Sequence, residues 1–269
     1  MSAGAAAPHQ SDLEDDIFLA AYLGDIRAVR RLLAAGVSPN AISTVVGQSP
    51  LHNACCFAAT SDRSVTLKYQ PLEQDYVACC RLLVEAGANV NNCDTNGDSV
   101  LIYAAGAATS ADAIKSMEFL LDAGADVNAV GNNSMTPLHW AACNKSAEAV
   151  ALYLRRGAAV NALDDRNETP LEAAIQFSQS RHYPLLLSAG SVIPSNVSVP
   201  YLRAVLDAGS FRNFEQRHLD KLVMMLTPKS PPPDGRRRSR RRLSPLRHIP
   251  PGVLRKIAAF AFHAGYYVY

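Results

Sequence analysis

The sequence predicts an all-α solenoid of about five to six stacked helix-turn-helix repeats, and two recurring landmarks lead to this prediction. The first landmark is an apolar block, usually Leu-Leu, closed by a glycine, and successive glycines are separated by 51, 37, 33 and 33 residues. These glycines are Gly36, Gly87, Gly124, Gly157 and Gly190. The second landmark, of Ser/Thr-Pro-Leu-His type, lies between them and steps by 50, 37 and 33 residues. Two landmarks that share one period indicate a repeated structural unit.

Each unit is predicted to contain two short helices. Thr136-Pro137 places an N-cap residue before a proline at the first helical position. The pair Ala141-Ala142 follows in the same helix, where small side chains allow a second helix to approach closely. The second helix ends in the Leu-Leu block, and its glycine follows the last turn, where a positive φ is favoured. Such a unit cannot bury its apolar face alone, so it must stack on neighbouring units.

These motifs resemble the ankyrin repeat family. The match is nearly full from Thr136-Pro137-Leu138-His139-Trp140-Ala141-Ala142 to Gly157-Ala158-Ala159-Val160-Asn161-Ala162, and Gly124 to Ala129 matches the turn strongly. The resemblance covers about residues 14–210. It implies an N-terminal capping repeat and, after Val199, a degenerate C-terminal helical unit.

The chain is predicted to have four parts: a disordered N-terminus over 1–13, a repeat domain over 14–226, a Pro/Arg-rich linker over 227–248 and an amphipathic helix over 249–269. The 51-residue step exceeds the 33-residue unit by 18 residues. The extra residues, about 60–75, are polar and include a proline, so we expect a surface loop.

Charge separates the chain into two pieces. Residues 229–269 carry ten Lys or Arg against Asp234, whereas residues 1–228 carry 16 basic and 23 acidic groups, a net charge of −7. No apolar run is long enough to span a membrane, and the N-terminal residues lack the pattern of a secretory signal. The six cysteines have neither disulfide-framework nor zinc spacing, which indicates reduced thiols in a cytoplasmic or nuclear protein.

No catalytic motif is present, so no enzymatic activity, metal or cofactor is expected. His52 and His139 occupy the fourth position of the second landmark. In the ankyrin family this imidazole ties the turn to the next repeat by hydrogen bonds, which implies a structural role for both histidines. Carboxylates such as Asp164 lie in predicted turns, where they satisfy local backbone groups.

The expected activity is binding of a protein client on the concave surface of the stack. The resemblance implies contacts at positions that flank the turn and that follow the alanine pair. The predicted contact residues are Val45, Val46, Gln48, Phe57, Thr95, Asn96, Asp98, Asn132, Asn133, Met135, Asn144, Asp165, Arg166, Glu168 and Gln176. Trp140 is predicted to face the core, and the protein is expected to be a monomer outside its complexes.

The C-terminal residues favour two functional hypotheses. Six arginines between Arg236 and Arg242 form a basic run that could drive nuclear import, contact nucleic acid or serve as a solvated spacer. No aromatic residue interleaves the run, so base stacking and nucleic-acid binding are not favoured.

Beyond it, an apolar stripe at 4, 4, 3 spacing predicts a helix. The stripe consists of Ile249, Val253, Ile257 and Phe260. The segment resembles the first helix of an F-box and, from Ser244, the start of a SOCS box, with Pro250 where the SOCS pattern has cysteine. Both resemblances imply recruitment of a cullin ubiquitin ligase. Alternatively, the helix caps the last repeat over Leu219, Leu222 and Val223.

The first functional hypothesis is therefore a substrate receptor of a cullin-type ubiquitin ligase. The second is a nuclear scaffold or regulator that uses the arginine run.

Overall fold

The computed structural model of the protein describes residues 10–56, 75–107 and 111–226. Within these ranges the chain forms twelve α-helices, two short 3-10 helices and no β-strand, which confirms the all-α prediction. The α-helices are α1 (Gln10–Leu23), α2 (Ile26–Ala34), α3 (Pro50–Cys56), α4 (Tyr76–Glu85), α5 (Val100–Gly106), α6 (Ala111–Asp122), α7 (Pro137–Cys143), α8 (Ala147–Arg155), α9 (Pro170–Gln176), α10 (Tyr183–Ser188), α11 (Pro200–Asp207) and α12 (Phe211–Leu226). The 3-10 helices span Asn132–Ser134 and Ser180–His182.

The described helices belong to two compact units. Helices α1 to α10 lie in the unit that ends at Ser191, and α11 and α12 lie in the unit that begins at Val192. The sequence predicts one repeat domain over 14–226, and this domain boundary stays a prediction; no Thr-Pro-Leu-His block follows Gly190. Helix α1 begins at Gln10, inside the segment predicted to be disordered. The predicted linker and C-terminal helix lie outside the described residues.

In the first unit the helices form two layers. Helices α1, α3, α5, α7 and α9 pack against one another, and so do α2, α4, α6, α8 and α10. The second-landmark leucine is completely buried in four repeats, and the alanine pairs beside it are buried as well. The four leucines are Leu51, Leu101, Leu138 and Leu171. Small buried side chains let the backbones of neighbouring first helices approach, so this layer owes its close packing to the repeated alanines.

Side chains cap the second helices at their N-termini. Asp25, Asp75 and Ser146 each accept a hydrogen bond from the backbone N–H three residues later. Such caps satisfy one of the four N–H groups that a helix leaves without an intrahelical partner. Asp75, the last residue of the predicted insertion, is therefore the N-cap of helix α4, and residues 57–74 lie outside the described residues.

Left-handed glycines end the second helices, as predicted. Gly36, Gly87, Gly124, Gly157 and Gly190 have φ values of 92°, 96°, 91°, 86° and 97°. The N–H of the residue after each glycine returns to a carbonyl five residues earlier, as from Val37 to Leu32 at 3.1 Å. Only glycine adopts this conformation without a steric cost, which explains why the glycine marks the period.

Cysteines fill part of the core. All six are free thiols; Cys55, Cys79 and Cys80 are buried, and the Sγ atoms of Cys55 and Cys80 lie 3.7 Å apart. Cys93 is exposed. The predicted core role is thus confirmed for the three buried thiols, and Cys93 is an exception. Among the described helices none is both long and apolar enough to cross a membrane.

Candidate protein-binding surface

Four hairpin turns project from the first unit between the helix pairs, and we call them fingers. Finger 1 spans 43–48, finger 2 spans 94–98, finger 3 spans 131–135 and finger 4 spans 164–168. In each finger the first residue donates its N–H to the carbonyl of the last residue, at distances of 2.9 to 3.1 Å. Finger 1 has one residue more than the others, and its tip carries Val45 and Val46.

An aspartate at the first position shapes fingers 2 and 4. Oδ1 of Asp94 accepts from the N–H groups of Asn96 and Asp98, at 2.8 and 2.9 Å. Oδ1 of Asp164 accepts in the same way from Arg166 and Glu168. Burial disfavours the Asp164 carboxylate, but these backbone bonds outweigh it and lower the pKa of this group. The predicted role of such carboxylates in turns is confirmed for Asp164.

The two histidines of the second landmark link successive repeats. His139 is completely buried; its Nδ1 accepts from the N–H of Thr136 at 3.2 Å, and its Nε2 lies 3.1 Å from the carbonyl oxygen of Glu168 in finger 4. Because a carbonyl only accepts, Nε2 carries the proton and Nδ1 is free to accept. Burial lowers the pKa of His139, so this neutral form is the stable one.

His52 makes the equivalent bonds two repeats earlier in the array, to the N–H of Ser49 and the carbonyl of Asp98 in finger 2. Burial lowers its pKa as well. The structural role predicted for both histidines is confirmed.

Hydrogen bonds also join the fingers in a row. Oγ1 of Thr95 donates to the carbonyl of Val46 at 3.0 Å, which links fingers 1 and 2. The N–H of Asn132 donates to Oδ1 of Asp98 at 2.8 Å, which links fingers 2 and 3. The N–H of Asp165 donates to the carbonyl of Asn133 at 3.0 Å, which links fingers 3 and 4. Four turns therefore act as one continuous ridge.

Two glycines permit this close approach. A Cβ atom on Gly47 would lie 2.7 Å from Cγ2 of Thr95, and Gly47 also has a φ of 68°. A Cβ atom on Gly131 would overlap Oδ1 of Asp98 in finger 2 and would lie 2.6 Å from Cδ1 of Ile102. Real Cβ contacts this short do not occur, so any other residue would push the fingers apart.

Some of the predicted contact residues are bonded within the repeat array, and others are exposed to solvent. Gln48 donates to the hydroxyl of Tyr103 at 2.7 Å, and Asn144 donates to the carbonyl of Ala105 at 3.0 Å, so both bind neighbouring repeats. Arg166 forms ion pairs within finger 4, to Asp164 and Glu168. These side chains hold the surface in shape.

Other predicted contact residues face solvent. Val45 is 85% exposed and Val46 is 39% exposed, and Asn96 and Gln176 are also exposed. Met135 is half-buried, as is Trp140, which was expected to face the core. Phe57 and the stripe from Ile249 to Phe260 lie outside the described residues. Binding of a client by any of these residues stays a prediction.

Sequence reasoning missed a set of exposed apolar side chains at the base of the fingers. Each lies six residues after a glycine of the first landmark, immediately before a finger begins. The set, which we call the apolar row, consists of Ile42, Cys93, Val130 and Leu163. Ile42, Val130 and Leu163 are 50%, 61% and 55% exposed, and Cys93 is also exposed. The fixed spacing from the glycine was the signal that could have found them.

A third structural histidine was also missed. His182 is completely buried, and its Nδ1 lies 3.0 Å from the carbonyl oxygen of Ala142 in the preceding repeat. Burial lowers its pKa. It lies outside the repeating landmarks, so its sequence position gave no signal of this role. Within the described ranges no three His, Cys, Asp or Glu side chains are placed to hold a metal ion.

Comparison with protein families identifies the repeat. A family model described as ankyrin repeats (3 copies) matches residues 17–130 and 106–196. The chain belongs to the ankyrin repeat family. Ankyrin repeats are protein–protein interaction modules, and the family is typically non-enzymatic. No curated protein matches the sequence. The ankyrin match ends at residue 196, so the resemblance of the C-terminal segment to an F-box or a SOCS box stays a prediction.

Proposed function

We propose that this ankyrin protein is a substrate receptor of a cullin-type ubiquitin ligase. In this proposal the fingers and the exposed ends of the first helices bind a protein client. The segment from Ile249 to Phe260 binds a cullin adaptor. The ligase then transfers ubiquitin to the client, so the chain itself performs no chemistry.

The observation that carries client binding is the ridge of four hydrogen-bonded fingers. When a partner binds flexible turns, the turns lose conformational entropy, which weakens binding. Turns that are already hydrogen-bonded to one another lose less entropy on binding. Finger 1 adds an apolar tip, because its extra residue projects Val45 into solvent. A rigid ridge with an exposed apolar tip suits a protein partner.

Ligase recruitment is supported by the sequence after the repeats. The stripe from Ile249 to Phe260 follows a basic linker, and such a short helix is marginal alone in water. Its apolar side chains need a partner groove or another surface of the chain to cover them.

Co-purification of partners with the tagged full-length chain from cells tests both client binding and adaptor recruitment. We expect the double variant Val253→Asp and Ile257→Asp to lose a cullin adaptor and keep its client. The double variant Val45→Asp and Val46→Asp should lose the client and keep the adaptor. Val192→Asp introduces the same charge at a site outside both regions and is the matched control.

If the Val253 and Ile257 double variant still co-purifies with the adaptor, the proposed role in a ubiquitin ligase is refuted. If that variant also unfolds at a lower temperature, the segment is a cap of the repeat array.

The second candidate function is a nuclear scaffold or regulator, and the arginine run is the observation that favours it. Six closely spaced guanidinium groups repel one another and remain solvated unless they meet an anionic partner. Replacement of all six by serine should leave the thermal unfolding temperature unchanged. Loss of nuclear accumulation in the serine variant would support this function. Unchanged location together with unchanged binding to heparin or RNA would leave the run as a spacer.

A further inference from the structure

The apolar row, Ile42, Cys93, Val130 and Leu163, occupies one equivalent position in four successive repeats of the first unit. Isolated exposed apolar residues are common on protein surfaces and need no explanation. A register-equivalent series is different, because stacked repeats bring its members together on one line. None of the four side chains is charged, so the series presents one exposed uncharged side chain beside each finger.

Identical bridges hold these four repeats in the same register. An asparagine two residues before each member of the row binds the glycine of the next repeat. Nδ2 of Asn40 donates to the carbonyl of Gly87 at 2.8 Å, and Nδ2 of Asn91 donates to the carbonyl of Gly124 at 3.1 Å. Asn128 and Asn161 make the same contact with Gly157 and Gly190. Because each of these hydrogen bonds repeats, the side chains two residues later occupy equivalent places in the four repeats.

The spacing of the row selects the secondary structure of its partner. Packed helices lie about 8–10 Å apart, so successive members of the row are about that far apart. In an α-helix, residues seven apart lie on one face about 10.5 Å from each other. In an extended strand, same-face residues lie about 7 Å apart, and every second one lies about 13 Å apart. The upper end of the spacing of the row, about 10 Å, therefore matches a helix that presents an apolar residue about every seven positions.

Charge defines the flank of that helix. The four fingers carry five acidic residues against Arg166 alone, a formal net charge of −4. Fingers 2 and 4 hold all of this charge, and fingers 1 and 3 hold none. Arg166 is paired with Asp164 and Glu168, so its charge is balanced within finger 4. A partner with basic side chains on the edge that faces the fingers is complementary to this pattern.

We propose that the apolar row binds an amphipathic α-helix of the client, with apolar residues about every seven positions and basic residues along the finger-facing edge. This inference rests on the protein-binding part of the proposed function and specifies its partner. It is independent of ligase recruitment, which uses a different segment of the chain.

Fluorescence anisotropy with the purified full-length protein tests the inference. The probe is a labelled synthetic helix with leucine at every seventh position and lysines along one flank. The first comparison peptide has glutamates in place of the lysines. The second has the same composition, with the leucines redistributed around the helix. We expect the lysine helix to bind at least about tenfold more tightly than either, and its affinity to fall as salt rises.

Variants of the protein localise the site. Val130→Glu and Leu163→Glu change exposed side chains, so both should keep the wild-type circular dichroism spectrum while weakening binding about tenfold or more. Leu206→Glu is the matched control, since Leu206 is 43% exposed and lies outside the row. Equal affinity for all three peptides, or unchanged affinity in both row variants, would overturn the inference. Neither result bears on adaptor recruitment, which the Val253 and Ile257 variant measures separately.

Discussion

His139→Ala tests the contact that most directly couples one repeat to the next. The substitution removes a completely buried imidazole that accepts from the N–H of Thr136 and donates to the carbonyl of Glu168. The buried N–H of Thr136 then loses its partner, which costs about 1–3 kcal/mol, and the carbonyl of Glu168 keeps only the bond from Asp164 while a cavity replaces the ring. We expect the free energy of unfolding to fall by about 3 kcal/mol. The loss should spread to adjacent repeats, because each repeat is stabilised by its neighbours.

The same substitution changes the dependence of stability on pH. Burial lowers the pKa of His139 below the ordinary value of 6.5, so below that pH the unfolded chain binds a proton that the folded chain does not. The contribution of this histidine is therefore fully present above about pH 6.5 and is lost as the pH falls towards its folded pKa. The slope is about 1.4 kcal/mol per pH unit for one such group. The gap between wild type and variant should narrow over this range.

Urea denaturation at pH 7.5 and pH 5.5, followed by far-ultraviolet circular dichroism, measures both effects. Glu172→Ala is the matched control, because Glu172 holds the equivalent position in the next repeat and its carboxylate accepts from the N–H and hydroxyl of Thr169 in its own repeat. Loss of that local cap should cost about 1 kcal/mol. A cost for His139→Ala no greater than the control would refute the inter-repeat role. A gap that is unchanged at pH 5.5 would show that the imidazole is not held neutral.

Three further predictions concern packing. Gly131→Ala should lower the free energy of unfolding by about 2 kcal/mol in a urea titration, since the new methyl group meets Asp98 of finger 2 as well as Ile102 and parts fingers 2 and 3. An unchanged midpoint would contradict the close approach. Cys93 is exposed and should react with a thiol reagent in the native protein, whereas Cys79 is buried, its pKa is raised by burial to about 12, and it should react only on unfolding. Mass spectrometry shows which thiol is labelled first, and equal labelling rates would contradict the prediction. Deletion of residues 60–74 should leave the unfolding midpoint nearly unchanged, because loop closure depends only weakly on length; a loss of helicity would place these residues in the core.

The sequence was sufficient for the repeat, its caps and two of its structural histidines. These features depend on local geometry, which residue spacing reveals directly. A proline after Thr136 places His139 three residues beyond the N-cap, where its ring reaches the backbone of that cap. A glycine such as Gly157 ends the helix because it alone takes a positive φ without a steric cost. Such short-range rules recur in every repeat, so a single sequence displays them several times.

Only the tertiary structure shows which surface side chains are bonded to other repeats and which are exposed and able to contact a partner. Gln48 and Tyr103 are 55 residues apart, and Asn144 and Ala105 are 39 apart, so no local pattern shows that these pairs are bonded. His182 is buried because Ala142, 40 residues earlier, meets it in the stack. The spacing of the row that includes Val130 is visible in the sequence, but the exposure of its side chains is known only from the stacked repeats. Contacts between residues distant in sequence depend on how successive repeats pack, and spacing along the chain does not encode those distances.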